Sequence, residues 1–176
     1  MLGTAASPYY WLMSTEGSIA GLGTVSIRAI ANDYSRPKSS SIYDEWGEMA
    51  LEAMTLEMSR WLIEVVTLDG KTVAVGDLSA HAVWYGPTPG SKAMNIGISL
   101  VEEYRGKGIG AIAQRLFAME LHRLGIVRVE AQTDIENIYE QRALKKAGFT
   151  FEGVARKAQF RADGPHDLQV WSHISK

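Results

Sequence analysis

The chain has no cysteine in 176 residues, which excludes disulfides, thiol nucleophiles and thiolate metal sites together. Such a chain suits a reducing compartment, and a cytoplasmic location is expected. A dominant charge is missing as well: 18 Lys and Arg stand against 20 Asp and Glu, a formal net charge of −2. That balance supplies no general pull toward nucleic acid or an anionic membrane, so neither is expected as a partner. Long apolar runs are also lacking, and no window approaches the roughly 20 residues of a membrane span. Residues 1–23 make a poor export signal, because Glu16 interrupts them and the first basic residue is Arg28. What is present is 46% hydrophobic residues in a chain of one-domain length. This predicts a single domain over 1–176 with residues 1–23 as an amino-terminal extension. The apolar stretch Pro8 to Met13 in that extension could cover its own sheet edge or that of a second copy, a possible homodimer.

Alternation of Val25, Ile27 and Ala29 with Ser26 and Arg28 predicts an opening strand, and the Pro- and Ser-rich segment Asn32 to Ser41 a loop. Helix formers from Tyr43 to about Met58 predict one long helix or two short ones. Two β-rich runs, Trp61 to Thr67 and Thr72 to Trp84, flank Asp69-Gly70, a strong hairpin signal. Met94 to Leu100 adds a strand after the Gly- and Pro-rich break Tyr85 to Ser91. From Ile109 to Leu124 apolar residues fall at helical spacing, closed by Gly125. A strand at Val127 to Thr133, a helix at Asn137 to Ala147 closed by Gly148, and an antiparallel pair at Phe149 to Ala158 and Leu168 to Ile174 complete the order. It reads as α+β around one mixed, mostly antiparallel sheet of about six or seven strands with about four helices.

The segment with most chemical content is Arg105-Gly106-Lys107-Gly108-Ile109-Gly110, which leaves a strand and opens an amphipathic helix. Glycines let backbone N–H groups approach a ligand, the helix N-terminus offers its positive end, and Arg105 and Lys107 add local cations. A phosphate or pyrophosphate suits this spot; a Gly-rich turn with solvated basic residues is the plainer alternative. A nucleoside triphosphate loop is disfavoured, since no Ser or Thr follows Lys107. The spacing G-x-G-x-G after a meander also fits a dinucleotide fold poorly.

These residues resemble the acyl-CoA motif Arg/Gln-x-x-Gly-x-Gly/Ala of the GNAT acyltransferase superfamily. Downstream, Asn137-Ile-Tyr-Glu-Gln-Arg-Ala-Leu-Lys-Lys-Ala-Gly148-Phe149 is similar to that superfamily's Asn-x-x-Ser-x-Arg-x-Leu-x-Lys-x-Gly-Phe, and Glu152 to Arg156 to the strand after it. The likeness is clearest over Asn95 to Ser172, weaker from Val25, and strongest to the branch holding ribosomal-protein alanine N-acetyltransferases. It implies an acetyl-CoA-dependent N-acetyltransferase in which a primary amine, on a small molecule or a protein N-terminus, attacks the thioester directly in a ternary complex. It further implies that the amides of Gly106 to Gly110, with Arg105, Lys107 and Ile109, hold the pyrophosphate. The backbone of Ser99, Leu100 and Val101 would pair with the pantetheine arm, an amide near Ser99 would face the oxyanion, and Asn137 would lie near the thiol end.

The acid and base stay open at this level. The family's frequent Ser is Glu140 here, which is either a leaving-group acid, if burial raises its pKa, or half of a capping box with Asn137. Tyr139 offers a phenol, yet its spacing with Ala143 and Ala147 equally suits core packing. The usual glutamate base position reads Asn95, so His81, in phase with Asp77 and Ser79, is the candidate to accept a proton directly or through water, unless it is a surface histidine. A domain that binds acyl-CoA without turnover is therefore the alternative. His122, His166 and His173 show no metal-ligand spacing, and no metal is expected. For the acceptor side, the acids and aromatics of Asn32 to Arg60 (Asp33, Asp44, Glu45, Glu48, Glu52 and Glu57, with Tyr34, Tyr43 and Trp46) suit a cationic amine, or form the solvated face of a helix. Trp84, Tyr85 and the last hairpin loop join them, with Asp163 and Asp167 read as turn residues.

Overall fold

Strand-forming alternation governs the first hundred residues, and the chain folds there as a meander of hairpins. The structure is a computed structural model that describes residues 15–31, 33–35, 37, 41–44 and 58–175. Strands β1 (Thr15–Ile19), β2 (Gly23–Ile30), β3 (Met58–Thr67), β4 (Thr72–Trp84) and β5 (Lys92–Leu100) pair antiparallel in chain order. Asp69-Gly70 makes the expected turn, with Gly70 at φ 82 and its N–H donating to Thr67 C=O at 2.9 Å. Helix α1 (Ile109–Arg123) then carries the chain over the sheet to β6 (Arg128–Asp134), which pairs parallel with β5. Helix α2 (Ile138–Ala147) leads to the antiparallel pair β7 (Thr150–Arg161) and β8 (Gly164–Ile174). The sheet order is β1-β2-β3-β4-β5-β6-β8-β7, with β5 and β6 the sole parallel neighbours among the described residues.

Both helices lie on one face of this sheet. Phe117 and Ala113 of α1 and Leu144 of α2, all fully buried, share one core with Val25, Val65 and Leu78 of the strands. Phe117 meets Trp61 at 5.2 Å between ring centroids, an aromatic pair worth about 1 kcal/mol beyond its buried area. The other face carries a polar row: Asp77, Ser79 and His81 of β4 stand opposite Ser99, Gly97 and Asn95 of β5, and Glu130 of β6 stands beyond Asn95.

The described residues hold eight strands and two α-helices, against the six or seven strands and about four helices expected from the sequence. The added strand is β1, inside the supposed extension. Its residues Thr-Glu-Gly-Ser-Ile carry no apolar alternation, and the tertiary setting decides them. Gly17 lies under Ile112 of α1, where a Cβ would stand 2.5 Å from Ile112 Cγ2. The helix expected at Tyr43 to Met58 begins as a single 3-10 turn, Ile42–Asp44, and Met58 already opens β3. Residues 45–57 lie outside the described residues. No helix among the described residues is long and apolar enough to cross a membrane.

Candidate active site

The parallel ladder between β5 and β6 runs only from Ala93–Arg128 to Ile96–Ala131. Beyond it, β5 continues to Leu100 paired with β4 alone, and β6 continues to Asp134 paired with β8 alone. Two neighbouring strands thus part at their carboxyl ends and leave a gap in the middle of the sheet. The Val101 N–H donates to Val75 C=O at 2.9 Å. Bonded pairs alternate along an antiparallel ladder, so Gly97 and Ser99 turn their backbone groups toward β4, and Ile98 and Leu100 turn theirs into the gap. This corrects two sequence expectations. The Val101 amide is engaged by β4, and the amides on the gap side belong to Ile98 and Leu100 instead of Ser99. A strand reverses its backbone direction at every residue, so an offset of one exchanges the two sides.

From Leu100 a 3-10 turn, Glu102–Tyr104, leads through Gly106 at φ 72 and Gly108 at φ 85 to the first turn of α1. Neither glycine has an atom within 4 Å of where a Cβ would stand. They provide left-handed backbone and access, not close packing, and successive N–H groups there form a cradle for an anion. Arg105 Nε donates to Leu100 C=O at 2.9 Å, which pins the turn to the end of β5. Lys107 Nζ stands 5.4 Å from the Tyr104 ring centroid. Buried Ile109 and Gly110, whose Cβ would stand 3.6 Å from Leu100 Cδ1, set the helix start against the same strand. The expected phosphate-binding residues therefore come together as one cationic turn at the end of a strand edge. Such an arrangement fits a long ligand with amides along its arm and phosphates at its end, as acyl-CoA has.

Across the gap, Asn137 caps α2: its Oδ1 accepts the Glu140 N–H at 3.2 Å. The return arm of a capping box is not made. The Asn137 N–H donates to Asp134 C=O at 3.0 Å instead. Gln114 is 1% exposed and donates to Gly110 C=O at 3.3 Å. Burial pushes Glu140 up to about 7, with the neighbouring Gln114 side chain acting the other way. A carboxyl that holds its proton into the neutral range thus sits in the first turn of α2. Tyr139 is 81% exposed, so the core packing weighed for it from its spacing does not occur. Gln114 escaped sequence reasoning, because a polar residue on an otherwise apolar helix face gives no partner away.

His81 is half-buried and lies directly opposite Asn95, on the same sheet face as Ser99. Four residues separate the two rungs, roughly 13 Å of strand, so contact between them requires water. Buried Asp77 stands opposite Ser99 and pairs with Arg60 Nη1 at 3.7 Å. Tyr85 is drawn away from an acceptor role: its hydroxyl donates to buried Glu130, which Arg128 also meets, and this raises its pKa. Trp84 remains 58% exposed. Tyr43 donates to Glu136 C=O at 3.3 Å, and Tyr34 accepts from Arg28 at 3.1 Å; Glu45, Trp46, Glu48, Glu52 and Glu57 lie outside the described residues. Asp167 accepts the Lys157 N–H at 2.7 Å, and Asp163 accepts from His166 at 2.7 Å, both within the last hairpin. The histidines separated in sequence partly meet in space. His122 Nδ1–H donates to Ile126 C=O, which leaves its Nε2 to pair with His173 Nδ1 at 2.8 Å.

Known proteins share this shape. A family model described as acetyltransferase (GNAT) domain matches residues 25–150. Among solved structures, Mycobacterium smegmatis RimJ in complex with CoA-disulfide is 18% identical with a TM-score of 0.65, over 92% of this chain and 87% of that one. A Salmonella typhimurium acetyltransferase, described as modifying the N-terminal serine of ribosomal protein L7/L12, is 23% identical with a TM-score of 0.54 over 68% of this chain. The microcin C7 self-immunity acetyltransferase MccE, in complex with acetyl-CoA and AMP, is 24% identical with a TM-score of 0.56, also over 68%. This chain spans 64% and 62% of those two proteins. At such identities the likeness is one of fold, and no curated protein matches by sequence. The family model, however, covers most of the chain, including the parted strands and the glycine turn, and the chain belongs to the GNAT acetyltransferase family.

Proposed function

We propose that the protein is an N-acetyltransferase that moves the acetyl group of acetyl-CoA to a primary amine by direct attack in a ternary complex. The observation that carries this reading is the gap between β5 and β6 ending on the cationic turn Arg105 to Gly110. In it, the strand edge of Ile98 and Leu100 pairs with the amides of the pantetheine arm, and the turn amides with Arg105 and Lys107 hold the pyrophosphate. The Ile98 N–H faces the carbonyl oxygen as charge develops there. Bound acetyl-CoA supplies the activated acyl group; the chain supplies orientation and protons. As the C–N bond forms and the C–S bond breaks, Glu140 gives its proton to the departing sulfur, and Asn137 Nδ2 lies beside it. The proton of the ammonium leaves through water toward His81.

A binding-only domain rests on Asn95 in place of a base; the raised Glu140 carboxyl favours turnover. A protein N-terminus is the first acceptor class to test, because the Salmonella typhimurium neighbour is described as acting on one. The test is calorimetric titration with acetyl-CoA, then thiol release in the presence of N-terminal peptides, polyamines and small amines. Binding with amine-dependent release is expected. Absence of acetyl-CoA binding overturns the reading, and binding without release for any amine leaves the binding domain.

A further inference from the structure

Asp134, the last residue of β6, is 2% exposed, and a carboxylate so buried is costly unless donors surround it. Three do. Its Oδ1 accepts the Glu136 N–H at 2.8 Å, and its Oδ2 accepts from Arg161 Nη1 and from His166 Nδ1, each at 2.7 Å. A carboxylate only accepts, so the proton of the last bond sits on Nδ1. Arg161 closes β7 and His166 lies in β8, on either side of the hairpin turn. The main chain of Asp134 serves a different element. Its C=O accepts the Asn137 N–H at 3.0 Å, and Asn137 Oδ1 is taken by the Glu140 N–H, which leaves Asn137 Nδ2 as the end of that amide open to a ligand. One residue thus ties the β7–β8 hairpin to the turn that sets Asn137.

We propose that Asp134 is a positioning residue for the transfer: its carboxylate locks the β6–α2 turn to the β7–β8 hairpin and so fixes the Asn137 side chain at the end of the β5–β6 gap. This rests on the transferase reading, in which Asn137 Nδ2 lies beside the departing sulfur. Stability alone is a poor account of such a cluster, because apolar side chains in place of a buried ion pair often leave a fold as stable; what the pair supplies is one fixed arrangement. The turn needs one. β6 has parted from β5 well before Asp134, so no sheet bond on the gap side holds it. The hairpin holds it instead, through the pairing of Asp134 with Leu168 and the side chains of Arg161 and His166.

The tie is read first in the unmodified protein, where nitrogen NMR of the imidazole rings at neutral pH should find a proton on His166 Nδ1. Asp134→Asn keeps an Oδ1 for the Glu136 N–H and loses the charge that faces Arg161 and His166. In it kcat should fall about tenfold, while the Kd for acetyl-CoA changes less than about threefold, since the phosphate turn is untouched. Asn137→Ala should also cost about tenfold in kcat. The double variant should again cost about tenfold instead of about a hundredfold, because both substitutions act through one amide. A residue that only supports the fold would lower the melt and leave the two kcat losses to multiply. His166→Leu, at a side chain 21% exposed, keeps the Asp134–Arg161 pair and carries the same cycle should Asp134→Asn fail to fold.

A His166 Nδ1 without its proton overturns the tie, and that result needs no variant to fold. Losses that multiply in the double variant overturn the positioning role. Failure of the unmodified protein to release thiol with any amine overturns the transferase reading and the role in transfer with it, whereas a bare Nδ1 or multiplying losses overturn the proposal alone and leave the transferase reading standing.

Discussion

Glu140 is where a single residue decides most, because its neighbourhood sets its protonation and its protonation sets its use. A carboxyl of ordinary pKa 4.5 is ionised at neutral pH and cannot donate; here burial brings it to about 7. As a leaving-group acid it must be protonated, while the attacking amine must be neutral, so kcat should show a limb that falls as pH rises through about 7. Glu140→Gln should lower kcat about a hundredfold and remove that limb, read from a pH profile of thiol release. Retention of most activity would remove Glu140 from proton transfer and leave its backbone N–H at the Asn137 cap as its one role there. The sequence displayed Asn137 and Glu140 at capping spacing, and the cap half is real. What spacing could not show is that the Asn137 N–H has another acceptor in Asp134 and that burial raises the Glu140 carboxyl. Contacts between elements distant in sequence are set by packing, which a local pattern does not encode.

At the scale of elements, the start of α1 and the pairing of β4 with β5 carry the site. Gly108→Asp tests the first. Asp is among the residues that enter left-handed backbone, at a cost of about 1 kcal/mol, and no atom lies within 4 Å of its Cβ, so the fold should survive. The added carboxylate would repel phosphates at the helix N-terminus, and calorimetry should then find acetyl-CoA binding lost with a nearly unchanged melt. Gly76 tests the second. A Cβ there would stand 2.2 Å from Ser99 C=O and 3.1 Å from Leu100 Cα, backbone atoms that cannot yield without moving β5. Gly76→Ala should destabilise the fold by about 3 kcal/mol in urea denaturation and weaken acetyl-CoA binding together with it. Legibility differs between these elements for a physical reason. The hairpin at Asp69-Gly70, the glycine turn and both helix ends at Gly125 and Gly148 were readable, because each depends on local backbone conformation. β1 was not, because its strand state is imposed by β2 and by Ile112 above Gly17.

For the whole molecule, several shifted groups act on stability in opposite senses, and their sum gives it a pH signature. Glu152, held down to about 2 by Arg128 and Ser172, stabilises the fold above its ordinary value and loses that contribution as pH falls toward 2. Glu140 is the reverse: the folded state keeps its proton longer than the unfolded chain, so stability declines as pH rises from about 4.5 to about 7 and stays lower above. The ceiling for that loss is about 3 kcal/mol at 1.36 kcal/mol per unit. His166 joins it on the alkaline side. Both its ring nitrogens meet carboxylates, Asp163 first and then Asp134, which raises its pKa and ties the β7–β8 hairpin to the end of β6. That tie is complete below the ordinary histidine value and is lost as pH rises through the folded one. His173, lowered by burial and by His122, opposes the trend and gains as pH rises. Glu140, whose shift is the large one in this range, weighs most and places the optimum on the acid side of neutrality. Glu140→Gln should move it toward alkaline pH, because it removes the loss that burial of this carboxyl imposes. Urea denaturation at pH 5 and pH 8 reads this directly: the variant should close most of the gap between the two midpoints, and an unchanged gap would mean that Glu140 is ionised at neutral pH and unfit to donate a proton.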